Sequence, residues 1–451
     1  MEYWQINTEE LAKNIKEIAR RAKTEEDLKM GIEPLFKKTL KKMDIDVDIA
    51  SYEKTSTSFR GRADAVYGYL TIEYKVPGKL SKDTEVKGVI EQLQRYLAEQ
   101  SVQFGQQKED FLEKAIGVAT DGKQILFLRF SKVPTLLQTP IPIDKKQESL
   151  FPEDKIKIGF QILGPYPINK TSISNLLIFA RASARRPLTA ESLATVFSPT
   201  QQIVQQVVSE LYSLSMRAQR KQKHSRIKTF FQEWDRIFGV VYGQELEKAE
   251  KSAEETAKLY QMPGGVRLKQ LLFAIHTFYA FLMKLISIEL VSLQDRSTVT
   301  SFVKGLIALD DDELKNRLIY LESGADFNNQ GIVNFLEADF FSWYLDAWDS
   351  HVADVFRGII NKLYDFEPAT PILEPNWTKD LLQRLYELLV PRNLRHGLGE
   401  YYTPDWLAGY LVDKSGYKGT IGTRFLDPAC GSGTFLAVSY THLTLPTKRI
   451  V

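Results

Sequence analysis

The sequence predicts a multidomain α/β protein, with an α/β domain at its start, a mostly helical stretch in the middle and the opening of a second α/β domain near its end. Three observations carry this. Helical and β-rich runs alternate over roughly the first 135 residues. From Ser172 to Leu389 most segments have helical periodicity. Near the C-terminus Phe425 and Leu426 end a short apolar run and Asp427-Pro428 closes it; Gly431 and Gly433 then let the backbone turn tightly before an apolar helix at Thr434. A chain of 451 residues is long enough for two or three separate cores.

Composition narrows the function classes. Lys and Arg number 59 against 57 Asp and Glu, a net charge of +2, so any nucleic-acid surface must be local. Cys430 is the only cysteine, which excludes a disulfide framework and a cysteine-built zinc site and fits a reducing cytoplasm. Its place inside the glycine turn reads as that of a small buried residue. The first residues, MEYWQINTEELAKN, lack the basic start and apolar core of a signal peptide. The longest apolar segment, around Leu271 to Leu290, is interrupted by His276, Lys284 and Glu289 and reads as a buried bundle helix. The expectation is a soluble cytoplasmic protein without a membrane partner.

Taken in order, Thr8 to Ala22 and Thr24 to Met43 are predicted helices, the second opening with a Thr24-to-Asp27 capping pattern. Val47 to Tyr52, Ala63 to Tyr67 and Leu70 to Val76 are predicted strands, and a helix is expected from about Asp83 to Gln100. Ile116 to Thr120 and Gln124 to Phe130 flank Asp121-Gly122, a strong hairpin signal. Pro134 to Pro167 reads as a linker carrying one or two strands, best placed at Lys155 to Leu163. Helices are then expected at Glu191 to Phe197, Thr200 to Ala218, Thr229 to Phe238, Gly243 to Tyr260 and Arg267 to Leu293, and the acidic run Asp310 to Glu313 reads as a helix N-terminus.

Chemistry-bearing residues concentrate in two places. In GRADAVYGYLTIEYK, Glu73 and Lys75 share a strand face, and a hairpin can bring Asp64 beside them. Two carboxylates with a neighbouring ammonium suit Mg²⁺: the oxygens hold a hard cation, the cation acidifies a bound water, and the lysine can orient the resulting nucleophile. That chemistry hydrolyses phosphodiesters. The pattern resembles the PD-(D/E)xK nuclease family, with Ala63 where the family name has proline. The resemblance implies that Asp64, Glu73 and Lys75 are catalytic and that Asp64 and Glu73 bind the metal. It further implies that Glu33, on the preceding helix, is an auxiliary metal ligand, and that Gln92 and Tyr96 match the Gln-x-x-x-Tyr element of the RecB-like branch.

The second place is the pair GEYYTPDWLA and RFLDPACGSGTFL, with 23 positions from Pro404 to Asp427. The glycine spacing is neither GxGxxG nor GxxxxGK[ST], so neither a dinucleotide nor an NTP phosphate is favoured. FLDPACGSGTFL resembles motif I of the Rossmann-like, S-adenosylmethionine-dependent DNA adenine methyltransferases, and GEYYTPDWLA resembles the motif preceding it. By that resemblance Tyr402, Thr403, Pro404, Asp427, Ala429, Gly431 and Gly433 contact S-adenosylmethionine.

The basic run Arg217, Arg220, Lys221, Lys223, Arg226 and Lys228, with His224, reads equally as a phosphate track or a solvated helix end. The Asn-Pro-Pro-Tyr element of the methyltransferase family does not occur in the sequence. The segment from about Val438, VSYTHLTLPTKRIV, reads poorly as a helix because it is rich in Thr and Ser and holds Pro446. It resembles a non-native tail on the N-terminal part of a larger protein. The expected division is therefore a nuclease-like domain over 1–170, a helical connector over 171–377, the first part of a methyltransferase domain over 378–437 and a tail over 438–451. Together the resemblances imply a fused, type IIG-like restriction-modification enzyme acting on double-stranded DNA. The alternatives are a methyltransferase with a non-cleaving nuclease-like domain, or an inactive DNA-binding fragment.

Overall fold

The computed structural model describes residues 5–45, 64–67, 69–102, 111–112, 114–131, 159–220, 225–248, 250–263, 265–293, 298–333, 335–336, 341–370, 381–390, 395, 402–420, 423–428, 430 and 433–444. The chain forms two compact units, Met1–Arg186 with Ser292–Phe302, and Pro187–Val291 with Val303–Val451.

The first unit is a mixed sheet between helical layers. Strand β1 (Gln5–Asn7) leads into α1 (Thr8–Arg21), whose first turn is capped by the Asn7 side chain accepting from the Glu10 backbone N–H. Helix α2 (Glu25–Lys42) starts at the expected capping box, in which Thr24 and Asp27 satisfy each other's backbone N–H groups. Strands β2 (Ala65–Tyr67) and β3 (Leu70–Tyr74) follow, then α3 (Asp83–Val102), β4 (Ile116–Thr120), β5 (Gln124–Ser131), β6 (Gly159–Pro167) and α4 (Lys170–Ala184). The sheet runs β2-β3-β4-β5-β6, with β3 and β4 parallel and the other neighbours antiparallel. A parallel pair needs a crossover connection, and α3 supplies it.

Strand alternation divides the core. Leu126, Leu128 and Phe130 face α3 and join Leu93, Tyr96 and Leu97 in one buried cluster. Phe127, on the opposite face, meets Phe179 of α4 with ring centroids 5.0 Å apart. Strand β1 pairs antiparallel with β7 (Thr298–Thr300), so a short segment from late in the chain completes this unit.

The sequence-based boundary at residue 170 falls too early: α4 packs its apolar face on the sheet, which carries this unit to Arg186. The strand expected at Lys155 to Leu163 is seen as Gly159–Pro167; it pairs antiparallel with β5, with a register shift between Ile125 and Phe127, and is therefore the sheet's fifth strand and not part of a linker. The strand expected at Val47 to Tyr52 lies outside the described residues, as does Ala63.

The second unit is mainly helical, with α5 (Ala190–Phe197), α6 (Gln202–Arg220), α7 (Ser225–Lys248), α8 (Glu250–Leu259) and α9 (Leu268–Val291). The break expected before Gly243 is absent and α7 runs through it. By length and composition α9 could cross a membrane, with a mean hydropathy of 1.8 in its most apolar window, but 78% of that window is buried in the protein. Its charged groups have protein partners: Lys284 Nζ donates to Glu322 Oε2 at 2.5 Å, and Glu289 accepts the Val303 N–H at 2.9 Å. Helix α10 (Asp311–Glu322) begins at a capping box between Asp310 and Glu313, the place the acidic run marks. Helix α11 (Ser350–Tyr364) is followed by α12 (Leu381–Leu389), α13 (Asp405–Lys414) and α14 (Thr434–Thr444). This unit also takes in the C-terminal segment; the division expected between 377 and 378 falls among residues 371–380, outside those described.

Helix α14 corrects the reading of the chain from Val438 as non-helical. Val438 is buried against Ala408 and Val412 of α13, and that packing outweighs the weak helix propensity of the Ser and Thr residues.

Candidate functional site

In the first unit the β3 face carrying Glu73 and Lys75 is turned toward α3. Lys75 Nζ donates to Glu73 Oε1 at 2.5 Å, and Gln92 Nε2 donates to the same oxygen at 2.7 Å. Gln92 Nε2 also lies 2.7 Å from the Tyr96 hydroxyl, which accepts from it one helical turn on. Glu73 and Lys75 are 4% and 6% exposed, so this is an interior polar cluster. Its geometry singles out one atom: Glu73 Oε2 is buried and accepts no hydrogen bond. A buried carboxylate oxygen without a partner is costly unless something not made of protein completes it.

Asp64 stands at the edge of the same cluster. Its Oδ2 accepts the Tyr74 backbone N–H at 2.8 Å, and its Oδ1 lies 3.8 Å from Lys29 Nζ. Burial pushes the Asp64 carboxyl above its ordinary range, against the pull of the Tyr74 N–H and the Lys29 charge. Burial likewise raises Glu73; the Lys75 hydrogen bond opposes this, and the nearby Asp64 charge reinforces it. Two carboxylates that feel each other and have lost solvent favour a cation between them. Asp64 Oδ1 and Glu73 Oε2 fit a hard divalent ion by donor chemistry.

Glu33 does not join them, which corrects its expected place as the auxiliary metal ligand. Alternation along β3 turns Tyr74 to the face opposite Glu73, and there the Tyr74 hydroxyl donates to Glu33 Oε1 at 2.8 Å while the Tyr67 hydroxyl donates to Oε2. Both tyrosine hydroxyls are held protonated, chiefly by burial. Among the described residues no group of three or more His, Cys, Asp and Glu side chains is placed to hold a metal.

Sequence reasoning missed two residues here. Lys29 precedes Glu33 by one helical turn, a spacing with no motif attached. In sequence Asp121 signals only a turn, yet its Oδ2 accepts the Gly78 and Leu80 N–H groups, each at 3.0 Å. Its Oδ1 accepts those of Lys123 and Gln124 at 2.9 and 2.7 Å. It thus ties the exit of β3, just past Lys75, to the β4–β5 hairpin; the Asp-Gly dipeptide was the available signal.

The cofactor motifs of the second unit are arranged more openly. Pro404 is the N-cap of α13, and Tyr402 meets Tyr386 edge to face at 6.0 Å. Residues 423–427 form no strand, which corrects the reading of Phe425 and Leu426 as a buried strand end. Phe425 packs against Tyr417 at 5.1 Å, but Leu426 is 83% exposed, because no neighbouring strand is hydrogen-bonded to it among the described residues. Cys430 is exposed and not buried. The turn closes with the Gly433 N–H donating to the Cys430 carbonyl at 2.7 Å. Gly433 has φ +85°, a conformation that favours glycine, and nothing lies within 4 Å of where a Cβ would stand. That open backbone at a helix start suits close approach of a ligand, and Thr434 begins α14 with its hydroxyl donating to Gln383 at 2.9 Å. Ala429 and Gly431 lie outside the described residues, as do Lys221, Lys223, His224 and the Arg220 side chain. Of the basic run, Arg217 pairs with Glu210 at 2.6 Å and Arg226 with Asp346 at 3.5 Å, while Lys228 is exposed.

Comparison with known proteins bears on this second region. Residues 377–449 match the sequence model of a family described as N-6 DNA Methylase. The chain is 27% identical over 141 residues to the type I restriction enzyme EcoEI methylase subunit of Escherichia coli, a match covering 31% of this chain and 26% of that protein. The match thus spans about a quarter of the relative's length. No solved structure matches. The family match lies wholly in the second unit, so the Asp64 and Glu73 cluster stands on its geometry alone. This is a mixed α/β, mostly helical chain whose residues 377–449 match a family described as N-6 DNA Methylase and which is similar over part of its length to a restriction-enzyme methylase subunit.

Proposed function

We propose that this chain serves restriction and modification together: adenine-N6 methylation of DNA from S-adenosylmethionine through its C-terminal segment, and Mg²⁺-dependent phosphodiester hydrolysis through the first unit. The methylase family match supports the first activity. The second rests on one observation, the buried Glu73 Oε2 that accepts no hydrogen bond beside Asp64 and Lys75.

For hydrolysis, Asp64 and Glu73 would hold the cation, which when bound supplies an acidified water and neutralises phosphate charge. Lys75, fixed by Glu73, stands where its ammonium can steer an attacking oxygen and offset charge on the phosphate. Gln92 fixes the Glu73 carboxylate from the α3 side and is itself restrained by Tyr96, so the remaining oxygen is aimed before any ligand arrives. For methyl transfer, the open backbone at Gly433 and the Tyr402-Thr403-Pro404 segment would hold S-adenosylmethionine, the source of the methyl group, with Asp427, Ala429 and Gly431 assigned to the same site by motif.

A second reading has one observation in its favour. With Glu33 on the opposite face of the sheet, the cluster keeps two carboxylates and not three, and a unit that binds DNA without cutting it would tolerate that. Nicking of supercoiled plasmid by the full chain in Mg²⁺ separates the two. The nuclease reading expects cation-dependent nicking that Asp64→Ala lowers by about a hundredfold or more. Nicking that survives in the variant, with contaminating nuclease excluded, removes Asp64 from the site.

A further inference from the structure

The cation site of the proposed nuclease has two lysines, and they are placed differently. Lys75 is enclosed, its side chain 8% exposed, and its ammonium is hydrogen-bonded to Glu73 Oε1. Lys29 reaches in from α2 with its side chain 18% exposed, and its ammonium is 3.8 Å from Asp64 Oδ1, beyond hydrogen-bond range. The oxygens not already committed to backbone or to Lys75 and Gln92 are Asp64 Oδ1 and Glu73 Oε2. Lys29 therefore stands against one of the two oxygens a cation needs, held by charge alone. Glu25, which also acts on Asp64, has its own counter-ion in Lys79 at 3.9 Å; of the two lysines whose charge acts on Asp64, Lys75 is hydrogen-bonded to Glu73 and Lys29 is the one with no hydrogen bond to either carboxylate.

Asp64 and Glu73 against Lys29 and Lys75 make the cation-free cluster neutral. A divalent ion turns it to about two positive charges and repels the nearest mobile ammonium, while the same excess attracts a DNA phosphate. We propose that Lys29 is an internal counter-ion of the cation site: it neutralises Asp64 until a divalent cation arrives, then swings out on its four-carbon stem to bind a DNA backbone phosphate. Cation loading and DNA binding thereby strengthen each other, by the same factor in each direction. Lys29 is a positioning residue in this scheme, and the scheme rests on the nuclease reading of Asp64 and Glu73.

The test uses the full chain and Mn²⁺ as probe, with free ion counted by electron paramagnetic resonance. Lys29→Met keeps the stem and removes the charge. Without DNA it is expected to bind Mn²⁺ about fivefold more tightly than wild type or better, since a unit charge about 4 Å away has been removed. Lys29→Arg restores the wild-type value. With Ca²⁺ in place of Mg²⁺, duplex DNA binds Lys29→Met several-fold more weakly than wild type, and again Lys29→Arg is rescued. Unchanged or weaker Mn²⁺ binding by Lys29→Met, while Glu73→Gln loses it, overturns this proposal and leaves the nuclease reading standing. Duplex affinity that does not fall overturns the phosphate half. Mn²⁺ binding that is absent in wild type, or equal in wild type and Glu73→Gln, overturns the nuclease reading and this proposal with it.

Discussion

The cluster around Glu73 and the glycine turn around Gly433 are opposites in how they announce themselves. The first lies outside the segment that matches the methylase family and has closed geometry: side chains from β3 and α3 converge on one carboxylate through hydrogen bonds of 2.5 to 2.7 Å. The second lies in a segment that matches a methylase family, but its geometry is open, with Leu426 83% exposed and no strand at residues 423–427. A motif identifies a ligand through its backbone spacing, which survives without support around it. A side-chain cluster is defined only once the fold has brought distant residues together, and here Asp64, Glu73 and Gln92 come from different elements. Sequence likeness and structural order are thus independent kinds of support, and this chain has one of each.

The contrast can be broken at its glycines, and Gly122 is where the largest effect is expected. It has φ +74°, and a Cβ there would lie 2.5 Å from Ala19 Cβ and 2.9 Å from Leu28 Cδ1. Gly122→Ala combines overpacking with backbone strain and is expected to cost about 3 kcal/mol in denaturant unfolding of the first unit. A loss under about 1 kcal/mol would mean that the hairpin is not clamped between α1 and α2 as described.

A middle-sized effect is expected from His276 on α9, in the well-packed helical body of the second unit. Trp234 Nε1 donates to its Nδ1 at 3.3 Å, and burial lowers its pKa from the ordinary 6.5 to about 4. Below the unfolded value the unfolded chain takes up a proton that the folded chain refuses, so stability falls as pH drops from about 6.5 to about 4 and the loss levels off below that. The ring is only half-buried by surface area, so we expect a loss of about 2 kcal/mol across that window. Denaturant midpoints at several pH values, compared with those of His276→Phe, check it; parallel pH profiles would contradict the buried neutral imidazole.

The smallest effect sharpens the contrast from the other side. Gly433→Ala meets no neighbour, so only the positive φ opposes it, at about 1 kcal/mol. The same change is expected to weaken S-adenosylmethionine binding measurably, because the added methyl stands where the ligand would approach. Equal cofactor affinity for the variant and wild type would remove Gly433 from that site.

Much of the fold was legible because its signals are local. The Thr24-Asp27 and Asp310-Glu313 boxes set helix starts through hydrogen bonds spanning three residues, and Asp121-Gly122 set the hairpin through one permitted backbone conformation. Asp64, Glu73, Lys75, Gln92 and Tyr96 were legible through strand and helix periodicity combined with a family pattern. What failed was nonlocal. The resemblance makes Glu33 an auxiliary metal ligand, and nothing in its own helix records that the Tyr67 and Tyr74 hydroxyls engage it. A strand near Gly159–Pro167 is legible, at Lys155 to Leu163, but its membership of the sheet is not, because its hydrogen bonds are made to β5, about 35 residues earlier in sequence. Helix α14 is hard to read from its own residues because its support comes from Ala408 and Val412 on another helix.

In the proposed nuclease site Asp64 and Glu73 hold a divalent cation, with Glu73 Oε2 as a ligand. Calorimetric titration of Mg²⁺ into the full chain and into Glu73→Gln tests it most directly, because glutamine keeps the size and an oxygen for Lys75 and Gln92 while removing the charge. A saturable site is expected in wild type, and its loss, by at least about tenfold in affinity, in the variant. Identical isotherms for the two proteins would contradict it.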